Sequence, residues 1–160
     1  MTNTPELSAT RSNLFPFPAS TSTKRAAYID AHFPVVRHGC KPNGANVFVQ
    51  LRMVPKKSGM IELPQQTRDF NEQQTCLGLV LAIGPSAFKD RDSGQPWHEG
   101  PWYAVGDLVM VKRHQGRRFA TPVPGTDGER VVIAVINEYD VDSTVDPDFE
   151  DLDSIYDQII

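Results

Sequence analysis

The chain of 160 residues is 39% hydrophobic, which is enough for one modest core but low for a chain that is packed throughout. Its formal net charge of −4 is unevenly spread, because the first 137 residues carry +5 and the residues from Glu138 onward carry −9. Two widely spaced cysteines, Cys40 and Cys76, exclude a disulfide framework and an ordinary zinc knuckle, and no apolar run approaches the roughly 18 residues of a membrane helix. We therefore expect a reduced, soluble, cytoplasmic protein with no signal peptide and no membrane partner.

Residues 1–41 form a predicted N-terminal arm. The stretch Asn13–Pro18 is apolar, but its prolines prevent regular hydrogen bonding in a sheet. Residues Lys24–Phe33 are predicted to form a short helix that Pro34 ends. Four aromatic residues lead us to expect that the arm packs either on the chain's own domain or on a neighbouring chain. They are Phe15, Phe17, Tyr28 and Phe33.

The first predicted strand covers Asn46–Met53, and the alternation of its residues places Phe48 on the face opposite to its other apolar side chains. Residues Pro55–Gly59 break this strand. The polar stretch Met60–Thr75 that follows predicts a loop of roughly fifteen residues, and loops of this length are usually functional or disordered.

Further strand patterns follow at short, regular intervals. Gly78 lies inside the second strand pattern, where it predicts a bulge or a bend, and residues 86–104 form an excursion with a predicted hairpin tip at 92–94. Short strands separated by turn residues are typical of a barrel or a sandwich, so the predicted fold class is all-β. The strand patterns cover Cys76–Ile83, Val105–Val111, Arg117–Ala120, Arg130–Ile136 and Tyr139–Val145.

Four stretches follow one another in a distinctive order over roughly a hundred residues: Pro42–Val49, Lys57–Pro64, Gly78–Gly84 and Val105–Val111. Their order and spacing resemble the GroES family of co-chaperonins. The third of them, Gly-Leu-Val-Leu-Ala-Ile-Gly, is similar to the family's Gly-x-Val-Leu-Ala-Val-Gly, and the fourth is similar to its Val-Gly-Asp-Ile-Val. The resemblance implies a small β-barrel over residues 42–145, with a mobile loop at 57–75.

The resemblance also implies a function without catalysis. Family members form a ring of about seven subunits that caps a chaperonin chamber and assists protein folding, and each mobile loop docks on the chaperonin rim through an apolar tripeptide. The matching positions are Ile61, Glu62 and Leu63, with Met60 beside them. In an extended segment Ile61 and Leu63 project to the same side, so two apolar anchors can enter a groove while the acid stays in water. No catalytic residue, metal or cofactor is implied.

In the family the last strand pairs with the first strand of the next subunit, which implies a subunit interface at four valines. They are Val47, Val49, Val141 and Val145. The chain departs from the family at Glu62, where the tripeptide is usually apolar, and in its terminal extensions. Co-chaperonins of bacteriophages are known to carry added segments of this kind, so by analogy the chain resembles a phage member. The expected compartment is the cytoplasm, which is the host cytoplasm for a viral protein and the virion under the alternative below.

A second reading comes from another class of protein. Terminal arms and a split charge also suit a phage virion structural or decoration protein that uses a GroES-like barrel as an assembly scaffold, with other virion proteins as partners. The acidic tail, residues 146–160, is expected to be either solvated and mobile or an arm for a basic surface.

Two other function classes have little support in the sequence. Zinc-dependent alcohol dehydrogenases contain a GroES-like domain, but the four histidines here are scattered and no Gly-x-Gly-x-x-Gly motif opens a helix. We therefore do not expect an enzyme. The basic stretch Lys112–Arg118 is more typical of a solvated hairpin or a ring-interior patch than of a nucleic-acid site.

Overall fold

The computed structural model describes residues 23–53, 57–58, 61–62, 64, 66 and 75–146. Its largest unit is a six-stranded sheet in which every pairing is antiparallel. A short 3₁₀ helix, Glu138–Asp140, connects the last two strands. In chain order the other elements are α1 (Thr23–His32), β1 (Asn46–Leu51), β2 (Lys57–Ser58), β3 (Ile61–Glu62), β4 (Leu77–Ile83), β5 (Leu108–Val111), β6 (Arg117–Pro122), β7 (Arg130–Asn137) and β8 (Val141–Val145).

These elements confirm the all-β class and, within one to three residues at most ends, the strands and the short helix expected from the sequence. The order in the sheet is β6-β7-β1-β4-β5-β8, so β1 lies in the middle and the described strands β6 and β8 lie at the two edges. The expected barrel is therefore not closed by hydrogen bonds in the described part of the chain. The physical reason is that the two edge strands, β6 and β8, form no ladder with each other among the described residues: β6 pairs with β7, and β8 pairs with β5.

One face of the sheet forms the main core. Val47, Val49 and Leu51 project from β1 to this face, as the alternation predicted, and they are almost fully buried. The same cluster includes Val111 of β5 and Val141 of β8, so the sheet must curl to bring its strands around one interior. Burying each such side chain fully stabilises the fold by about 1.5–3 kcal/mol, which makes this face the largest source of stability.

The described part of the predicted arm, residues 23–41, packs on the opposite face of the same sheet. Phe33, which is 3% exposed, packs with Leu77, Leu108 and Val145, and Tyr28 lies at the edge of this second cluster. For Tyr28 and Phe33 the structure thus favours the chain's own domain as the packing surface. Phe15 and Phe17 lie outside the described residues.

Two buried polar side chains fix the segment after α1 to this face. Gln50 of β1, 1% exposed, donates a hydrogen bond of 2.9 Å to the carbonyl of Pro34. Thr121 of β6 donates one of 3.0 Å to the carbonyl of Arg37. These bonds give partners to polar groups that would otherwise be buried without one. Because each bond needs a carbonyl at one position, the two bonds also fix the path of the segment across the sheet.

The pairing of β1 with β4 contains the irregularity that the glycine pattern predicted, but at a different residue. Phe48 pairs with Ala82 and Val49 with Val80, so Leu81 has no opposite partner and the bulge lies there. Gly78 has another role. A Cβ atom at this position would clash with the side chain of Val49 and would lie 3.0 Å from the carbonyl oxygen of Gln50.

Replacement of Gly78 by Ala tests this close approach. We expect the free energy of unfolding to fall by about 1–3 kcal/mol, because the added methyl group must push β1 away from β4. Urea denaturation followed by circular dichroism measures the change. Ala120→Val, which adds volume at an exposed position of β6, is the control and should leave stability nearly unchanged. Equal stability of Gly78→Ala and Ala120→Val would contradict the close approach of β1 to β4 at Gly78.

Candidate functional site

The segment matched to the co-chaperonin loop contains a small hairpin. Lys57 pairs with Glu62 and Ser58 with Ile61, which makes an antiparallel pair of two-residue strands, β2 and β3. The hairpin lies between β1 and β4, the two neighbouring central strands of the sheet. The sequence predicted only a loop here and did not reveal this pairing, because a strand of two residues is too short to show an alternating pattern.

Of the residues expected to bind a chaperonin, the structure describes Ile61 and Glu62. Ile61 and Glu62 are consecutive residues of β3, where side chains alternate between the two faces. Glu62 is exposed, as the sequence predicted for the acid. Met60 and Leu63 lie outside the described residues. The extended backbone at Ile61 and Glu62 is the conformation that a segment with alternate anchors requires.

A second feature, which sequence reasoning missed, is the buried carboxylate that supports the 86–104 excursion. Glu138 is 1% exposed and accepts a hydrogen bond of 2.5 Å from the backbone N–H of Phe88. Phe88 is itself buried and has a φ of 58°, a left-handed conformation that costs a non-glycine residue about 1 kcal/mol. The carboxylate thus holds the first residues of the excursion in a conformation that they would not adopt alone.

Local structure positions Glu138 for this contact. Asn137 caps the 3₁₀ helix, since its side chain accepts a hydrogen bond of 3.2 Å from the N–H of Tyr139, and Asp140 accepts one of 3.1 Å from the N–H of Asn137. The backbone N–H of Glu138 also donates to the carbonyl of Ala45. An acid after an apolar strand normally predicts the surface, so the sequence carried no signal for this burial.

Tyr103 makes the second contact to this centre. Its hydroxyl donates a hydrogen bond of 3.0 Å to the backbone carbonyl of Glu138. Burial, followed by the negative charges of Glu138 and Asp140, raises the pKa of the Tyr103 hydroxyl well above its ordinary value near 10. The hydroxyl therefore stays protonated and remains a donor throughout the neutral range.

Around this centre lies a cluster of aromatic rings, the aromatic cluster. Phe88 packs edge-on against Tyr103 with ring centroids 4.9 Å apart, and Trp97 packs against Trp102 at the same distance. Tyr139, which is 50% exposed, contacts both tryptophans and completes the cluster. The density of aromatic residues between 97 and 103 was the sequence signal that could have revealed it.

A cleft of about 270 Å³ separates the excursion from the edge strand β8. Trp102 lies on its wall, and the indole N–H of Trp102 donates a hydrogen bond of 2.8 Å to Glu99. Aromatic walls beside an edge strand suit an extended segment better than a compact polar molecule. The lining residues are Glu99, Trp102, Tyr103, Val141, Asp142, Ser143 and Thr144.

The structure divides the four valines of the expected subunit interface into two pairs. Val47 and Val49 are 0% exposed and belong to β1, which is hydrogen-bonded on both sides within the chain. Val141 and Val145 belong to the edge strand β8 and are 8% exposed. The interface stays a prediction, and the geometry favours β8 over β1 as the strand that offers free backbone groups.

The described residues contain no group of three or more His, Cys, Asp or Glu side chains arranged to hold a metal ion. His38 lies on the outer face, where its ring packs edge-on against Phe48 and its Nδ1 atom is 3.7 Å from the Sγ of Cys40. His98 and His114 are exposed, and His32 ends α1. Enzyme activity was not expected from the sequence, and that expectation stays a prediction.

Comparison with known proteins does not assign a family: no family model matches the chain, and no curated protein matches it. Among the described residues, no helix has the length and apolar character needed to cross a bilayer.

Replacement of Glu138 by Ala tests the support of the excursion. We expect a loss of about 2–4 kcal/mol in the free energy of unfolding, because the buried N–H of Phe88 loses its acceptor and the site loses volume. Glu138→Gln, which keeps an acceptor oxygen, should cost less. Urea denaturation measures both, with the exposed Asp127→Asn as control. If Glu138→Ala and Asp127→Asn changed the free energy of unfolding equally, Glu138 would not support the excursion.

The raised pKa of Tyr103 predicts a dependence of stability on alkaline pH. A group with a pKa that is higher in the folded than in the unfolded state contributes stability that is complete below the unfolded pKa, about 10, and is lost as the pH rises beyond it. We expect Tyr103→Phe to lack this part of the alkaline loss. Urea denaturation at several pH values above 9 compares the variant with the parent, and parallel curves would exclude Tyr103 as a source.

Proposed function

We propose that this protein is a co-chaperonin: a GroES-like ring that caps a chaperonin chamber through residues 57–75 and assists protein folding without catalysing a reaction. The observation that carries the proposal is the extended pair of strands β2 and β3, which connects β1 to β4 along the chain and includes Ile61 and Glu62. An extended segment whose two ends are joined to paired central strands is the arrangement that such a docking loop needs.

The chemistry of the segment supports a weak, reversible contact. In any extended segment, positions 61 and 63 project to the same side, which offers two apolar anchors, and Glu62 is exposed. Two buried side chains of this size contribute only a few kcal/mol, and ordering the segment costs part of that. A single loop therefore binds weakly, and simultaneous binding of about seven loops in a ring restores affinity through multivalency.

The edge strand β8 supports assembly into a ring. Its outer edge is not paired within the described residues, and Asp142 and Ser143 on it are exposed. An unpaired edge is a template for pairing with another chain. We propose that β8 contacts the neighbouring subunit through its unpaired backbone edge, from Val141 to Val145, whereas the side chains of Val47 and Val49 belong to the core that supports β1.

Replacement of Ile61 or Leu63 by Asp tests the docking loop. We expect each variant to lose chaperonin binding by at least about tenfold, since a buried, unpaired charge replaces an apolar anchor. Binding to a GroEL-type chaperonin is measured by biolayer interferometry in the presence of ATP, and inhibition of the chaperonin ATPase provides a second measurement.

Gln66→Asp is the matched control, because it introduces the same charge in the same segment at an exposed position. It should bind as the parent chain does. Native mass spectrometry of all three variants checks that the oligomer is unchanged and gives its size. Parent-like binding by both Ile61→Asp and Leu63→Asp would exclude these residues as anchors, and no binding by the parent would exclude the co-chaperonin function.

The alternative is a phage virion structural or decoration protein built on the same domain. The exposed apolar side chain of Val35, 89% exposed on the segment that covers the outer face, and the split charge of the chain favour an assembly subunit with further contacts. Mass spectrometry of purified virions distinguishes the two functions. A stoichiometric amount in the particle, with no effect on a chaperonin ATPase, would favour the structural role.

A further inference from the structure

The cleft between the 86–104 excursion and β8 combines an aromatic wall with an acidic rim. Trp102 and Tyr103 form the aromatic wall, and Glu99 and Asp142, both exposed, form the acidic rim. Among the described residues that line the cleft, none is Lys, Arg or His. The cleft therefore suits a segment that brings an apolar side chain together with a positive charge.

Neighbouring side chains hold Trp102 in place on the aromatic wall. Its ring centroid lies 4.9 Å from that of Trp97 and 5.9 Å from that of Tyr139, and neither of these two residues lines the cleft. The indole N–H of Trp102 donates to one carboxylate oxygen of Glu99, and the other oxygen can accept a further hydrogen bond. An arginine side chain suits this pair, because its planar guanidinium stacks on aromatic rings and donates to carboxylates.

The segment after α1, residues 34–41, offers an apolar side chain and a cation together. The exposure of residues 34–39 alternates, so Val35 and Arg37 both project into water, and Val35 is 89% exposed. The segment contains Arg37 and Lys41 and no acid. An exposed valine with a cation two residues away matches the aromatic wall and the acidic rim of the cleft.

The backbone presents these two side chains in a fixed conformation. The carbonyl of Pro34 accepts the hydrogen bond from Gln50, and the carbonyl of Arg37 accepts the one from Thr121. Because both bonds use backbone carbonyls, they hold the segment without engaging the side chains of Val35 and Arg37. A segment that is already ordered loses little conformational entropy when it binds.

The two matching surfaces lie at opposite edges of the sheet. Arg37 is bonded to Thr121 of β6, whereas the cleft lies beside β8, and four strands separate β6 from β8. The two edge strands form no ladder with each other among the described residues. A second copy of the chain can bring the surfaces together in a head-to-tail contact, and repetition of such a contact gives a ring when the rotation closes.

We propose that residues 34–37 of one subunit enter the cleft of the next, with Val35 against the aromatic wall and Arg37 on the acidic rim. This contact rests on the proposed ring through β8 and names the segment of the neighbouring subunit that meets it. Residues 34–37 precede Pro42, where the resemblance to the co-chaperonins begins, so the contact is a feature of this chain. It covers an apolar side chain that the single chain leaves in water.

Charge reversal on each side of the contact tests the pairing in the full chain. We expect Arg37→Glu and Glu99→Arg each to weaken self-association at least about tenfold in sedimentation velocity, because each places like charges together. An equimolar mixture of the two variants should recover association, since each reversed residue then meets an opposite charge on the other chain. Arg91→Glu and Asp127→Arg, at exposed positions elsewhere, are the matched controls and should associate as the parent does. Circular dichroism checks that all variants are folded.

The outcomes distinguish this contact from the ring itself. A parent chain that stays monomeric at every concentration would exclude both the ring and the contact. A parent oligomer that neither reversal weakens would exclude the contact and leave the ring through β8 in place. Reversals that weaken association without recovery in the mixture would show that Arg37 and Glu99 are not partners on neighbouring copies, which also overturns the proposal.

Replacement of Val35 by Ser tests the apolar half of the contact. Because Val35 is 89% exposed in the single chain, we expect no loss in the free energy of unfolding at concentrations where the chain is monomeric. Self-association should weaken at least about threefold, since a buried apolar side chain is lost from the contact. Val105→Ser, at a second exposed valine, is the control. Parent-like association by Val35→Ser would overturn the place of Val35 against the aromatic wall.

Discussion

The hydrogen bond from the N–H of Phe88 to the carboxylate of Glu138 joins the 86–104 excursion to the sheet. On one side of it, Phe88 adopts a left-handed conformation and its carbonyl accepts a hydrogen bond from the N–H of Trp97, which turns the excursion back on itself. On the other side, Glu138 is fixed between the end of β7 and the start of β8 by a capped 3₁₀ turn. The aromatic cluster and the cleft beside β8 both depend on this link, because their walls come from the two segments that it connects.

The outer face of the sheet shows how polar contacts add specificity to burial. Apolar packing of α1 on β4, β5 and β8 would tolerate small shifts of the helix. The hydrogen bonds from Gln50 and Thr121 do not tolerate such shifts, since each needs a backbone carbonyl at one position. The segment after α1 thus crosses β1 and β6 on a defined path, and it leaves only a few side chains, such as that of Val35, in water.

Much of the fold was predictable because its signals are local. Alternating apolar residues in β1 and β7, turn glycines and the proline after α1 each act over a few residues. Features that depend on distant pairing were not predictable. The bulge lies at Leu81 rather than at Gly78, because the register between β1 and β4 decides it. The burial of Glu138 depends on a contact 50 residues away. The candidate docking residues came from a resemblance, and their local hairpin came only from the structure.

The central position of β1 has a consequence for the order in which the chain can fold. Its two partners are β4, which follows after about 25 residues, and β7, which begins at Arg130. During synthesis at roughly 5–20 residues per second, β1 waits about 4–16 seconds for its second neighbour. In that interval one of its hydrogen-bonding edges, together with the apolar face of Val47 and Val49, is open to other nascent chains. A protein proposed to assist folding would itself pass through a stage in which it needs protection.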